Sequence, residues 1–258
     1  MPTARILKMP LGTVERAAAT TAPQDVLSEG AATFDILRQM REDILCCVLK
    51  PDQRLRFGDL RQRYKTSVGT LREALSHLVS EGLARTEAGR GFAVAPISLA
   101  DFLDLSELRV YLETRTLADA IRHGTDAWEA EIVSSYFLLS KLAPPKTDDP
   151  VSVKREWGKR HKRFHDALVA TCTSPWSLHF RSELFDQARR YHWLTMIHAR
   201  SRRRNEHLDL RDAVLARDID ASCALIERHI RTTVEQAASE VPGLTMESGR
   251  RARRTRSR

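Results

Sequence analysis

Residues 67–82 read SVGTLREALSHLVSEG, and residues 83–95 continue as LARTEAGRGFAVA. The first segment repeats its apolar side chains every three or four residues, which predicts a helix with one buried face. Ser67 is placed to cap the start of this helix, because its hydroxyl can accept a hydrogen bond from a backbone N–H two or three residues on. Gly82 stands where the end of a helix favours a left-handed residue. The apolar positions are Leu71, Ala74, Leu75, Leu78 and Val79.

The segment that follows changes from a helical to a strand pattern. Apolar stretches at 83–86 and 92–95 flank the turn at 88–91, and two short strands around a glycine-containing turn predict a hairpin. Upstream, a helical period begins at Thr33 and stops at Pro51, and a shorter helix is predicted around Phe57–Tyr64. Three helices followed by a hairpin describe a winged helix-turn-helix domain over residues 33–96.

The rest of the chain predicts helices and no strands. Residues 97–240 form about six helices with short joints, which is typical of a compact bundle. Residues 1–32 have no clear period and are interpreted as a mobile arm, and residues 241–258 as a basic tail. The predicted fold class is therefore mostly α, with an N-terminal winged helix-turn-helix followed by an all-helical bundle. The predicted breaks between helices are Gly124, Pro144-Pro145, Ser174-Pro175, residues 201–205 and Asp218.

The composition excludes several classes of protein. With 258 residues, of which 42% are hydrophobic and 29% charged, the chain can bury a core and is not a disordered or collagen-like chain. No run of 18 apolar residues occurs, so no membrane span is expected, and the N-terminal stretch lacks the apolar core of a secretory signal. The four cysteines form no C-x-x-C motif, so a reduced cytoplasm is the expected location.

The net charge of +8 is unevenly placed along the chain. Residues 250–258 hold six arginines and no acidic residue, so most of the excess lies at the C-terminus. This tail can bind polyanions, or it can be a disordered end that keeps the chain soluble. The bulk charge alone therefore does not establish DNA binding.

A helix-turn-helix presents the start of its second helix to the major groove of DNA. In that helix serine and threonine can contact phosphates or base edges, and Arg72 can bridge the O6 and N7 atoms of guanine. Basic residues before the helix can follow the phosphates, and Arg90 at the tip of the wing can reach the backbone or the minor groove. Taken singly, each arginine can equally be a solvated surface charge. The candidate DNA-binding residues are Arg54, Arg56, Arg63, Lys65, Ser67, Thr70, Arg72 and Arg90.

Three segments of this domain, Thr70–Leu75, Glu81–Leu83 and Gly89–Val94, form a specific set. They resemble the DNA-binding domain of GntR-family transcription regulators. The helical remainder resembles the FCD domain of the FadR subfamily, so the resemblance covers about residues 33–238. Within the subfamily the chain is most similar to a glutarate-responsive, carbon-starvation-induced repressor, on the segments Val68–Ser76, Leu138–Leu142 and Arg160–His165.

The resemblance implies a ligand-controlled repressor that binds a double-stranded DNA operator as a homodimer. It also implies a small carboxylate effector, for example a dicarboxylate such as glutarate. Arg72 matches the family's DNA-contacting position. Val68 and Gly58 stand where many members carry basic residues, so the operator is expected to differ from the commonest site of the subfamily.

Four of the nine histidines stand out by their spacing. His161 and His165 are four residues apart, which places both imidazoles on one face of a helix. His207 and His229 lie on two later helices, and four imidazoles on three helices can converge on one ion in a bundle core. Zinc, nickel or another late first-row ion accepts such nitrogen ligands. Spacing alone leaves the alternative that the pair is incidental.

The resemblance strengthens the prediction of a metal site. Metal-binding FCD domains use an Asp, a His four residues later and two further His, and His165, His207 and His229 match the three histidines. His161 occupies the Asp position, so the centre would keep a charge of about +2 and attract an anion more strongly. The same substitution can instead weaken the site.

An anionic effector also needs cationic or hydrogen-bonding partners. Arg109 matches an inward arginine of the family, and Arg190 and Tyr191 lie on the helix expected to cross the cavity. Arginine grips carboxylates through two parallel hydrogen bonds. The alternative for Arg109 and Arg190 is an internal ion pair with Glu113, Glu183 or Asp186.

Two other functions compete with regulation. A metal-dependent hydrolase could use the histidine cluster, but it needs a general base beside the metal-bound water, and the chain has no H-E-x-x-H motif. A plain interaction module could use the basic tail. A winged helix serves neither function, so the sequence favours a DNA-binding regulator that is not an enzyme.

Overall fold

The computed structural model describes residues 24–146, 149–196, 203–240 and 244. Within these ranges the chain forms nine helices and one small antiparallel sheet. The strands are β1 (Arg54–Leu55), β2 (Ala84–Glu87) and β3 (Gly91–Val94). The helices are α1 (Gln24–Leu45), α2 (Phe57–Tyr64), α3 (Val68–Ser80), α4 (Leu99–His123), α5 (Asp126–Ser140), α6 (Val151–Leu168), α7 (Pro175–Met196), α8 (Arg203–Leu215) and α9 (Ile219–Glu240).

The winged helix-turn-helix folds around the apolar face of α3. Leu71, Leu75 and Leu78 are fully buried and pack against Met40 and Ile44 of α1. The predicted cap is present, since the Ser67 hydroxyl accepts from the backbone N–H of Thr70 at 3.2 Å. Gly82 has φ of +72°, so the left-handed end of α3 is also as predicted.

Two details of this domain differ from the sequence prediction. Helix α1 begins at Gln24 and not at Thr33, so residues 24–32 continue a helix that the sequence assigned to an irregular arm. A third strand, β1, pairs with β3 through Arg54 opposite Ala93 and Leu55 opposite Phe92. Two residues are too short to give a recognisable period, which is why the pattern missed this strand.

Helices α4 to α9 form the second domain. The joints at Gly124, Pro144-Pro145, Ser174-Pro175 and Asp218 fall where the sequence predicted them, whereas residues 203–205 of the predicted break at 201–205 belong to α8. The core contains Leu117 of α4, Ile132 of α5 and Phe164 of α6. The buried Trp128 donates from its indole N–H to the carbonyl of Ala167 at 2.8 Å, so its polar atom is paired. This bundle holds the side chains of α6, α7, α8 and α9 that build the site below.

The predicted properties of residues 1–23 and of the basic tail, apart from Leu244, lie outside the described residues. Across the part of the chain that the structure describes, no helix combines the length and apolarity that crossing a membrane requires.

Candidate DNA-reading face and histidine centre

The start of α3 presents an exposed polar surface. Ser67, Gly69 and Arg72 are exposed, and Val68 is 36% exposed. The hydroxyls of Ser67 and Thr70 lie 3.0 Å apart, so both side chains are held at the helix start. The guanidinium of Arg72 lies 5.9 Å from the ring centre of Phe57, an arrangement that supports the arginine while its polar edge stays in solvent.

Basic side chains surround this helix start on the same domain. Arg56, Lys65 and Arg90 are exposed and form no ion pair with a described residue. Arg54 lies 3.8 Å from Glu87, a weak surface pair. Arg63 differs, because it donates to the buried carboxylate of Asp43 at 3.1 Å and is therefore partly committed to the fold.

The second candidate site is a cluster of four buried histidines. His161 and His165 project from α6, His207 from α8 and His229 from α9. One ring nitrogen from each residue lies within 4.8 Å of the others, so the convergence predicted from the spacing occurs. All four side chains are between 1% and 7% exposed, which removes them from bulk water.

Three of the ring nitrogens contact one another directly. The Nε2 atom of His161 lies 3.1 Å from that of His165 and 3.1 Å from that of His207, and the third side of the triangle is 3.4 Å. In a neutral imidazole Nε2 is either a donor or an acceptor. Three nitrogens in mutual contact therefore leave at least one pair in which two donors or two acceptors face each other.

A cation at the centre of the triangle removes this conflict, because all three lone pairs then point to one positive charge. At Zn–N distances of about 2.0–2.1 Å, two ligands of a tetrahedral site lie about 3.3 Å apart. The observed separations are close to this value. The donor set therefore fits a divalent ion that accepts nitrogen.

The fourth histidine has its tautomer set by a carboxylate. Nδ1 of His229 lies 2.9 Å from Oε2 of Glu206, so Nδ1 carries the proton and Nε2 keeps its lone pair. Metal-binding histidines commonly have such a carboxylate behind them, and it orients the ring.

The environment favours the neutral form of the two histidines of α6. Burial, followed by the neighbouring imidazoles, lowers the pKa of His161 and His165 well below the ordinary value for histidine. A neutral imidazole is the form that coordinates a metal. The same burial makes an added positive charge costly unless an anion accompanies it.

A small cavity of about 30 Å³ adjoins the histidines. It has room for about two water molecules. Arg109 of α4 and Arg189 of α7 line it, as do Phe185 and His192. Arg109 donates weakly to Glu113 at 3.4 Å, and its buried Nε has no hydrogen-bond partner among the described residues. A carboxylate in the cavity would give the guanidinium of Arg109 a partner.

Two residues predicted to bind the effector lie elsewhere. Arg190 donates to the carbonyl oxygens of Ala95 and Pro96, on the segment that joins the wing to α4. The Tyr191 hydroxyl donates to Asp101 at 2.5 Å, and its ring stacks on Phe102. Neither residue lines the cavity beside the histidines, so the structure does not bring this part of the predicted effector site together with the histidine cluster.

On α7 the polar residues that line this cavity are Arg189 and His192. The position of α7 in the bundle turns Phe185, Ala188, Arg189 and His192 toward the cavity. Arg190 is one residue further along, which rotates it by about 100° around the helix. Steps of three and four residues from Phe185 could have indicated this face, but the side that meets the histidines depends on packing.

A further buried arginine, Arg181, supports the histidine cluster through the backbone of α6. Arg181 is 2% exposed, donates to Glu113 at 2.7 Å and to Asp166 at 2.9 Å, and also donates to the backbone carbonyl of His165 at 2.8 Å. Asp166 also accepts from Lys162 at 3.1 Å. Its carboxylate is therefore held by two cations rather than aimed at the histidines.

Comparison with known proteins identifies both domains. The family described as "Bacterial regulatory proteins, gntR family" matches residues 33–94, and the family described as "FCD domain" matches residues 104–232. A protein from Paraburkholderia xenovorans (strain LB400), described as an uncharacterized HTH-type transcriptional regulator, BphR, is 42% identical over 205 residues, covering 79% of this chain and 82% of that protein. The HTH-type transcriptional repressor GlaR of Escherichia coli (strain K12) is 36% identical over 208 residues, covering 78% of this chain and 94% of the repressor.

Solved structures support the fold. The E. coli protein McbR/YncC has a TM-score of 0.67 at 19% identity, and the match covers 80% of this chain and 97% of that one. A putative GntR transcriptional regulator from Rhodococcus sp. RHA1 has a TM-score of 0.66 at 18% identity, with coverages of 81% and 99%.

The fold and the two sites define a transcription regulator with a DNA-reading domain and a separate ligand-binding domain. The chain belongs to the GntR family and carries an FCD domain, as its sequence predicted. It is a regulator and not an enzyme. Members of this family bind double-stranded DNA operators and typically act as dimers, and some FCD domains bind a metal ion.

Proposed function

We propose that this regulator is a homodimeric repressor whose operator affinity is controlled by a small carboxylate, bound beside a divalent metal ion in the helical domain. The observation that carries the proposal is the small cavity in which buried arginines and the histidine cluster meet. The proposed DNA-reading residues are Ser67, Thr70 and Arg72 on α3, with the exposed cations around them.

The metal ligands would be His161, His165, His207 and His229, and zinc is the expected ion. When bound, the ion supplies positive charge that no protein carboxylate in the ligand set cancels. Glu206 holds the ring of His229, and Arg181 holds the backbone at His165. These two contacts hold the ligand nitrogens in place without the help of the ion.

The effector is expected to be small and anionic. The cavity of about 30 Å³ has room for about two water molecules, so even a short dicarboxylate such as glutarate enters only if lining side chains move aside. Arg109 lies beside the ring of Phe185, 5.3 Å from its centre, and can grip one end of a carboxylate. Glutarate stays the leading example by family resemblance, with its other end meeting the ion or the histidines.

A dimer has a candidate surface on α4 and α7. These helices run antiparallel, since Phe102 stacks on Tyr191 while Glu113 pairs with Arg181. Their outer side exposes four large apolar residues, each more than half exposed, where a monomer would normally place polar side chains. They are Leu108, Tyr111, Trp176 and Phe180. A second copy of this chain would cover them and place two recognition helices on a palindromic site.

Metal analysis and ligand titration test the proposed function together. Protein purified without chelator should contain about one equivalent of a transition metal per chain, and chelator followed by zinc should lower and then restore its melting temperature. Glutarate should raise the melting temperature and weaken operator binding. Less than a tenth of an equivalent of metal, with no stabilisation by zinc or nickel, would contradict the metal site.

The dimer surface needs its own measurement. Tyr111→Glu should shift the protein from dimer to monomer in analytical ultracentrifugation. Phe137→Glu is the matched control, since Phe137 is 55% exposed on α5. A Tyr111→Glu protein that remains fully dimeric would place the dimer contact on another surface.

A further inference from the structure

Arg189 faces two parts of the molecule at once. It is 8% exposed and lines the cavity beside the histidines. Its two terminal nitrogens also reach Glu42 of α1, with Nη1–Oε1 at 3.1 Å and Nη2–Oε2 at 2.9 Å. The side chain therefore joins the ligand-binding domain to the DNA-binding domain through one pair of parallel hydrogen bonds.

The residues around Arg189 leave space for its guanidinium and keep its partner Glu42 charged. Gly158 of α6 lies against it, and a Cβ atom there would be 3.5 Å from Nη2 of Arg189 and 3.3 Å from the Trp193 ring. Burial alone would raise the pKa of Glu42, but the hydrogen bonds from Arg189 lower it. Glu42 is thus held as a carboxylate at the junction.

The same junction contacts the end of the recognition helix. Arg41, next to Glu42 on α1, pairs with Glu81 at 2.8 Å and with Asp186 of α7 at 3.0 Å. Gln187 of α7 donates to the backbone carbonyl of Glu81 at 2.7 Å. Glu81 is the C-cap residue of α3. A short stretch of α7 therefore holds both α1 and the end of the helix that reads DNA.

An effector in the cavity would carry the same chemical group as the Glu42 side chain, so the two carboxylates would compete for the guanidinium of Arg189. The planar guanidinium makes its strongest contact with one carboxylate through two parallel bonds. Arg109 cannot transmit such a change directly, because its ion pair is with Glu113 on its own helix. Arg189 is the cavity arginine that pairs with a carboxylate of the other domain, Glu42, and it makes a longer contact of 3.6 Å to Asp186 on its own helix.

We infer that Arg189 senses the effector by exchanging carboxylate partners: it binds Glu42 in the DNA-competent state and the effector's carboxylate in the released state. The inference rests on the proposed carboxylate effector. It assigns Arg189 as a ligand-binding residue and gives a route by which the cavity loosens α1 and the end of α3. Binding of the effector and of the operator are then coupled, and the coupling is reciprocal.

Glu42→Gln is the informative variant, and Glu131→Gln is its matched control. Both acids line the open groove of about 600 Å³ between α1 and α6, and both substitutions remove one negative charge. Glu131 pairs with Arg163 and not with Arg189. Glutarate is the probe, its binding is measured by calorimetry, and operator affinity is measured by fluorescence anisotropy with and without saturating glutarate.

In the wild type and in Glu131→Gln, glutarate should weaken operator binding by at least about fivefold. In Glu42→Gln, glutarate should bind more tightly, because it no longer displaces a protein carboxylate, while its effect on operator affinity should fall close to none. Arg189→Lys keeps the charge but loses the planar fork, so it should weaken both glutarate binding and the response. This second variant decides the matter if Glu42→Gln does not fold.

The failures of the two proposals are distinguishable. If the wild type binds none of acetate, succinate and glutarate, the carboxylate effector is wrong and this inference falls with it. If the wild type binds glutarate and releases DNA, but Glu42→Gln responds to the same degree, the effector stands and the role of Arg189 is wrong.

Discussion

Arginine serves opposite purposes in the two domains. In the winged helix-turn-helix, Arg56, Arg72 and Arg90 are exposed and form no ion pair with a described residue. In the helical domain, Arg181 and Arg189 are buried and bound to carboxylates. Exposed arginines cost the fold little and stay available to phosphates, whereas a buried charge must be compensated by the protein. The difference separates arginines that stay available to phosphates from arginines that are bound to carboxylates of the protein itself.

The largest expected effect is a loss of stability on removing a buried arginine of the helical domain. Arg181→Met leaves Glu113 buried and without its best partner, since that carboxylate accepts from Arg181 at 2.7 Å but from Arg109 only at 3.4 Å. Breaking a buried pair in this way costs about 3–5 kcal/mol of unfolding free energy. Urea unfolding of chelator-treated protein measures it.

Arg163→Met is the surface control for that substitution. Arg163 pairs with Glu131, and both side chains are nearly half exposed. Exposed pairs contribute about 0–1 kcal/mol. Equal losses in the two variants would mean that burial does not distinguish these arginines.

The buried histidines should make the stability of the metal-free protein depend on pH. Burial and neighbouring imidazoles lower the pKa of His161 and His165 in the folded protein, while the unfolded chain takes up protons near pH 6.5. Below this pH the unfolded state binds more protons, so the unfolding free energy of metal-free protein should fall. Each histidine contributes up to about 1.4 kcal/mol per pH unit.

Urea unfolding between pH 7.5 and pH 5 checks this prediction. His161→Phe should reduce the loss of stability on acidification, because one buried site that resists protonation is gone. A pH dependence unchanged in this variant would show that His161 does not supply it.

Removing an exposed arginine should change DNA binding and leave stability alone. Arg72→Ala is expected to weaken operator binding by about 1–3 kcal/mol and to relax the preference for its base pair. Arg122→Ala, an exposed arginine at the far end of α4, serves as the control for lost charge. Unchanged affinity and selectivity in Arg72→Ala would mean that α3 does not read bases through this residue.

The two domains also differ in how much their sequence could predict. The Ser67 cap, the left-handed Gly82 and the wing turn depend on neighbouring residues, so a local pattern specified them. The four histidines could be selected because His161 and His165 share a helix face by spacing and because family resemblance indicated the other two. The distinction between Arg189 and Arg190 could not be made, because it depends on how α7 is rotated against α6 and α9. Local periodicity gives the faces of a helix but does not say which partner each face meets.

The smallest expected effect tests whether Tyr191 belongs to the effector site. Tyr191→Phe removes the hydrogen bond to Asp101 but keeps the ring that stacks on Phe102 at 4.3 Å. Burial and Asp101 raise the pKa of the Tyr191 hydroxyl, so at neutral pH the residue acts as a hydrogen-bond donor to the carboxylate. Losing one such bond costs about 1–3 kcal/mol of unfolding free energy, near the lower end here because Asp101 lies at an exposed position and can turn to water. The affinity of Tyr191→Phe for glutarate should stay at the wild-type value. Arg109→Met should lose most of this affinity, because Arg109 lines the cavity and Tyr191 does not. Calorimetry on the two variants decides the point: a Tyr191→Phe protein that binds glutarate much more weakly, beside an Arg109→Met protein that binds it normally, would return the effector site to the face of α7 that the sequence first indicated.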